Sequence, residues 1–117
     1  MSNHPIPCIG LGTGQMSNAE SLLGHAIDCG YTLFDCASIY GNEMECGRAL
    51  VRRVRESSLA ATNTKTPPLE YVSKDDIFVI SKVWNDCKES HQDIRNACIQ
   101  SLENLQRDSL DLYLIHW

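Results

Sequence analysis

Three short apolar runs, each carrying one ionisable side chain at or near its end, restrict this chain more than any other feature. Leu33-Phe34-Asp35-Cys36-Ala37 holds a carboxylate, Ile77-Phe78-Val79-Ile80-Ser81-Lys82 ends in an amine, and Leu110-Asp111-Leu112-Tyr113-Leu114-Ile115-His116 ends in an imidazole. Runs of this length suit buried parallel strands, provided helices separate them. Amphipathic stretches do separate them. Behind Ser17-Asn18-Ala19-Glu20, which has capping-box spacing, Leu22, Leu23, Ala26 and Ile27 recur at helical spacing and Gly30 follows as a stop. Met44, Gly47, Leu50, Val51 and Val54 make a second apolar face, with Arg48, Arg52, Arg53 and Arg55 mostly off it as a solvated face. Ile94, Ala97, Cys98, Leu102 and Leu105 make a third, which Ser90 can cap. A first strand, Pro7-Cys8-Ile9-Gly10-Leu11-Gly12, runs into the turn Thr13-Gly14-Gln15. The plan is strand then helix three times, followed by a fourth strand: α/β with parallel strands.

With 117 residues, 43% hydrophobic and 21% charged, the chain is expected to form one ordinary globular domain. A net charge of −5 offers no basic surplus for phosphates, so nucleic acid is not expected as the main partner. No apolar run approaches the roughly 20 residues that span a bilayer, so no membrane is expected either. The N-terminus lacks signal-peptide features, which points to the cytoplasm. Of the six cysteines no two have Cys-x-x-Cys spacing; no metal site is expected, and Cys36, Cys46 and Cys98 fall at apolar positions as small hydrophobes. Residues 56–74 lack an apolar period and contain Pro67-Pro68, so they are expected to be a flexible loop insertion within the domain.

Side chains alternate along a strand, so Asp35 shares a face with Leu33 and Ala37, Lys82 with Ile80, and His116 with Leu114. In parallel strands these ends lie on one edge of the sheet, where α/β proteins bind ligands. Tyr40, on the loop leaving the second strand, reaches the same edge. Taken singly, each residue has a commonplace explanation: a turn residue for Asp35, a loop anchor for Tyr40, a snorkelling Lys82, a satisfied core His116. Taken together they suit proton transfer. A lysine ammonium pairs with the carboxylate and stabilises a neighbouring phenolate, which makes the tyrosine a usable general acid. A histidine nearby can orient a carbonyl oxygen. Gly10-x-Gly12 lacks the third glycine of a dinucleotide fingerprint, so this is not a Rossmann turn.

In Gly10-Leu11-Gly12-Thr13, Ala26-Ile27-Asp28-Cys29-Gly30-Tyr31, Phe34-Asp35-Cys36-Ala37-Ser38-Ile39-Tyr40-Gly41-Asn42-Glu43, Ile80-Ser81-Lys82-Val83-Trp84 and Leu110 to Trp117, the chain resembles the N-terminal part of the aldo-keto reductases. That resemblance implies parallel β/α units forming about half, four strands and three helices, of a TIM (β/α)8 barrel. It implies NADPH as cofactor and small-molecule aldehydes or ketones as substrates, reduced to alcohols. Tyr40 is then the general acid, readied by Lys82 and Asp35, and His116 orients the carbonyl. Gly12, Thr13, Gly14 and Asp35 match positions near the nicotinamide, while Tyr40, Trp84, His116 and Trp117 match the substrate pocket. The family usually carries a larger residue where Gly14 stands, so a more open pocket wall is expected.

A full barrel needs roughly 250 residues. The expectation is therefore a partial, C-terminally truncated reductase domain over residues 1–117, without the family's grip on the cofactor's adenosine phosphate. Two alternatives stand beside it: a non-catalytic half-barrel that acts as an assembly partner, pairing with another copy through its exposed edge or with another chain, and a small-molecule binding module.

Overall fold

The computed structural model describes residues 5–61 and 72–117, apart from the side chains of residues 60 and 61. The elements run β1 (Leu11–Gly12), α1 (Ala19–Asp28), β2 (Leu33–Asp35), α2 (Glu43–Ala61), β3 (Phe78–Val83), α3 (His91–Leu105) and β4 (Leu112–Ile115). Short 3-10 turns at Ser38–Tyr40, Lys74–Asp76 and Asn85–Cys87 join them. The four strands lie in the order β1-β2-β3-β4, all parallel, as expected of consecutive β/α units. Gly12 pairs with Asp35, Asp35 with Ile80, Ile80 with Leu112, and Lys82 with Leu114.

Phe34, Cys36 and Val79 point from the sheet into a core shared with Leu23, Ala26 and Ile27 of α1 and with Cys46, Ala49 and Leu50 of α2. By strand alternation, Leu33, Asp35, Ile80 and Lys82 therefore stand on the opposite face. Ser90 caps α3 as expected, its hydroxyl accepting from the Asp93 amide at 3.1 Å. Among the described residues, no helix is long and apolar enough to cross a membrane.

Several local expectations are corrected. The Ser17 capping box does not form: Asn18 is the N-cap without a side-chain bond, and the Ala19 amide donates instead to Glu45 of α2 at 3.0 Å. A carboxylate from the neighbouring helix does the work of a local cap. The buried face of α2 is Cys46, Gly47, Ala49 and Leu50, whereas Met44 and Val51 are exposed. Gly47 belongs on that face because α3 crosses there: a β-carbon on it would stand 2.4 Å from the carbonyl oxygen of Asn104. Of the 56–74 segment, residues 56–61 continue α2, and Ser73 and Asp76 form a capping box around the Lys74–Asp76 turn. Residues 62–71 lie outside the described residues. The first strand is two residues long, Leu11–Gly12, rather than the run from Pro7. The last strand stops at Ile115, one residue before His116.

Candidate active site

Asp35 ends β2, Lys82 is the penultimate residue of β3, and His116 directly follows β4, so all three reach the C-terminal edge of the sheet. Lys82 sits two residues past the partner of Asp35, on the same face and one pleat further along, and its side chain reaches back. Its ammonium lies 2.6 Å from Asp35 Oδ1, donates to the Cys36 carbonyl at 2.8 Å and stands 3.5 Å from the Tyr40 hydroxyl. The Asp35 contact is an ion pair whose angles fall outside those of a hydrogen bond, leaving Oδ1 without a directed donor. Lys82 is only 9% exposed, so the pair is what keeps its charge tolerable inside the protein.

Tyr40 is placed by the Ser38–Tyr40 turn, which closes on Gly41 at φ 69°, a left-handed conformation that glycine adopts without a steric penalty. Ser38 holds the turn to β3, its hydroxyl donating to the Lys82 carbonyl at 3.1 Å. The Tyr40 ring meets His116 edge to face, with centroids 5.7 Å apart. His116 also meets Trp84 at 5.0 Å and Trp117 at 6.1 Å, both edge to face. The imidazole is buried, with no partner for Nδ1 among the described residues. Trp84 is half-buried and Trp117 is exposed.

The glycine-rich turn divides into two roles. Gly12 presents bare main chain beside Asp35, with nothing within 4 Å of where a β-carbon would be, and Gly14 is exposed against the Tyr40 ring. Thr13 instead faces inward: wholly buried, its amide and hydroxyl both donate to the Asp35 carbonyl, at 3.0 and 3.2 Å. It can line a cofactor site only through the turn that it braces.

Four supports were not singled out from the sequence. Asn42 donates to the Thr13 carbonyl at 2.8 Å, tying the glycine turn to the start of α2. Glu43, buried at the head of α2, accepts from Ser81 at 2.6 Å and Asn104 at 3.3 Å, which anchors the strand position next to Lys82. Ser38 and Lys88 are the others. The only sequence signal was Asn42 itself, an amide standing where a helix N-cap belongs.

Tyr113 and Cys36 are poor proton donors. Burial pushes the Tyr113 phenol up to about 12. A hydrogen bond donated to Cys46, then burial, pushes the Cys36 thiol well above the usual thiol range, in keeping with a hydrophobic filler. Among the described residues, no group of three or more His, Cys, Asp or Glu is placed to hold a metal ion.

The chain is similar to known proteins. Aldo-keto reductase family 1 member A1-A of Danio rerio is 42% identical over 117 residues, taking in 96% of this chain and 31% of the relative. The aldose reductase of Schistosoma japonicum superposes with a TM-score of 0.82 at 35% identity, over 97% of this chain and 34% of its own. An aldo-keto reductase of Bombyx mori, solved in complex with NADP, superposes with a TM-score of 0.77 at 29% identity, over 96% and 34%. The chain thus spans about a third of the length of the proteins it matches. Its four parallel strands and three helices correspond to part of their TIM barrel. The sequence profile of the Aldo/keto reductase family matches residues 8–117, and the chain belongs to that family.

Proposed function

We propose that this chain carries the proton-donating part of an NADPH-dependent reductase that converts aldehydes and ketones to alcohols. One observation carries the proposal: a single buried ammonium, Lys82, lies 2.6 Å from a carboxylate and 3.5 Å from a tyrosine hydroxyl at the open edge of the sheet. Tyr40 gives its hydroxyl proton to the carbonyl oxygen as negative charge develops there. Lys82 stabilises the phenolate left behind, and Asp35 keeps the ammonium charged and in place. His116, held among the rings of Tyr40, Trp84 and Trp117, orients the carbonyl oxygen toward Tyr40. NADPH, when bound, supplies the hydride that the carbonyl carbon receives. Gly12, Gly14 and Asp35, with Thr13 beneath them, are the residues of this chain that would line its nicotinamide end. Support comes from the family relatives and from the Bombyx mori structure solved with NADP. Because the chain spans about a third of its relatives' length, turnover is proposed for a protein that holds the whole barrel.

Two measurements test this. Purified chain is titrated with NADPH, following nicotinamide fluorescence and aldehyde-dependent loss of the reduced-nicotinamide absorbance. The isolated chain is expected to bind the cofactor weakly and turn over no aldehyde. Residues 8–117 are then grafted in place of the matching third of a full-length relative. The graft is expected to reduce aldehydes, and Tyr40→Phe within it to lose about 10²-fold or more, the usual contribution of a general acid. A Tyr40→Phe graft that keeps full activity overturns the role given to Tyr40.

A further inference from the structure

Lys88 lies outside every motif discussed so far, on the last turn before α3, yet its side chain reaches the active edge. Its ammonium donates to the main-chain carbonyl of His116, 28 positions away, and to the Asn85 side-chain oxygen at 2.7 Å. The His116 amide is already fixed from the same side, donating to the Val83 carbonyl at 3.0 Å. Both main-chain groups of His116 are therefore tied to the segment that leaves β3.

The physical need for the second tie follows from where the strand stops. β4 ends at Ile115, so the carbonyl of His116 lies past the ladder. With only its amide held, His116 could turn about its N–Cα bond, which carries the carbonyl and the imidazole together. A charged donor on that carbonyl removes this freedom and is stronger than a neutral one. Asn85 in turn holds the lysine, and Asn85 directly follows Trp84, whose ring is 5.0 Å from the imidazole. One ammonium thus joins the two chain segments whose rings pack against each other. Lys88 is half-buried, as expected of a side chain lying between two segments rather than extended into solvent.

We propose that Lys88 is a positioning residue that sets the orientation of the His116 imidazole by clamping the loop after β3 to the end of β4. Its importance for catalysis rests on the role given above to His116 in orienting a carbonyl; the clamp itself does not. Lys88 touches neither substrate nor cofactor in this scheme.

The test reads the clamp without any cofactor. Ring currents from Trp84, Tyr40 and Trp117 displace the carbon-bound imidazole protons of His116 from their positions in a free histidine, and nuclear magnetic resonance resolves them once His116→Asn has assigned the signal. In Lys88→Met the His116 protons are expected to lose at least half of that displacement, while far-UV circular dichroism stays at the wild-type value. Lys88→Arg, which still offers a charged donor, is expected to restore most of it, and Asn85→Ala to have a smaller effect than Lys88→Met. Lys88→Gln, too short to reach, is measured alongside and is expected to match Lys88→Met, so that poor folding of one variant does not remove the comparison. Wild-type imidazole shifts in both Lys88→Met and Lys88→Gln overturn the proposal. So does a loss in Lys88→Arg as large as in Lys88→Met. A graft that reduces no aldehyde would count against the reductase and leave this result standing, so the two failures are distinguishable.

Discussion

A methyl group placed on Gly14 would stand 3.4 Å from Cζ of Tyr40, 3.5 Å from Cε1 and 3.7 Å from Cε2, which is ordinary contact rather than a clash. Alanine therefore fits at this position, and anything longer projects beside the hydroxyl-bearing end of the ring. We propose that Gly14 leaves the pocket wall more open beside the proposed proton donor. In the grafted enzyme, Gly14→Trp is expected to lower kcat/KM for bulky ketones about tenfold or more, since each 1.4 kcal/mol of lost contact or added strain is about a factor of ten. Small aldehydes should change by less than about threefold, and equal losses for both substrate sizes would refute a role in selectivity. At this scale Asp35, Lys82 and His116 stood out in the sequence because each is a polar break at or near the end of an apolar row, and Tyr40 because it lies on the loop that follows one of them. It was silent on Asn42 reaching Thr13 and on Lys88 reaching His116. Those contacts join residues 29 and 28 positions apart through loops, where no periodicity reports which side chains will meet.

Helices α1 and α2 are held together by more than their shared apolar core. Glu20 accepts from Arg48 at 2.8 Å and from Arg52 at 3.2 Å, while Glu45 of α2 caps the first amide of α1. The Arg48 hydrogen bond is the main cause holding the Glu20 carboxyl below the ordinary glutamate range. A carboxyl whose folded pKa is depressed contributes stability that is present above its unfolded value, near 4.5, and disappears as pH falls through the folded value. Chemical unfolding of wild type and Glu20→Gln should therefore give midpoints that differ at pH 7 and converge as pH is lowered below about 4.5, with the difference shrinking in high salt because the group is exposed. A gap that stays constant from pH 7 to pH 3 would remove the charge from the explanation. Element types and order were legible in the sequence, since periods of two and 3.6 are written locally. The buried face of α2 was legible only in part: Gly47 and Leu50 are buried and Val54 packs on the core, but Met44 and Val51 are exposed, and the close crossing of α3 at Gly47 depends on tertiary packing.

In the whole molecule, helices cover one face of the sheet, and the face bearing Asp35 and Lys82 lies opposite. Among the described residues β4 pairs only with β3; Ile115 is 76% exposed and Leu114 39%. Exposed apolar side chains on a free strand edge favour pairing with another chain, and we propose that the isolated chain self-associates through this edge. Ile115→Lys is expected to reduce the weight-average mass in sedimentation equilibrium toward that of a monomer, with an unchanged far-UV spectrum. An unaltered mass distribution would place any association elsewhere. By itself the sequence determined the alternation of strands and helices, the parallel order of the sheet and the polar residue at or near the end of three of its four apolar rows, because burial pattern and propensity act between near neighbours along the chain. Only the tertiary structure decided that Lys82 contacts Asp35, Cys36 and Tyr40 at once, that Thr13 turns inward while Gly12 and Gly14 stay bare, and that Lys88 closes over the end of β4. These outcomes depend on register, on the reach of individual side chains and on how closely helices cross, quantities fixed only when all the elements pack together.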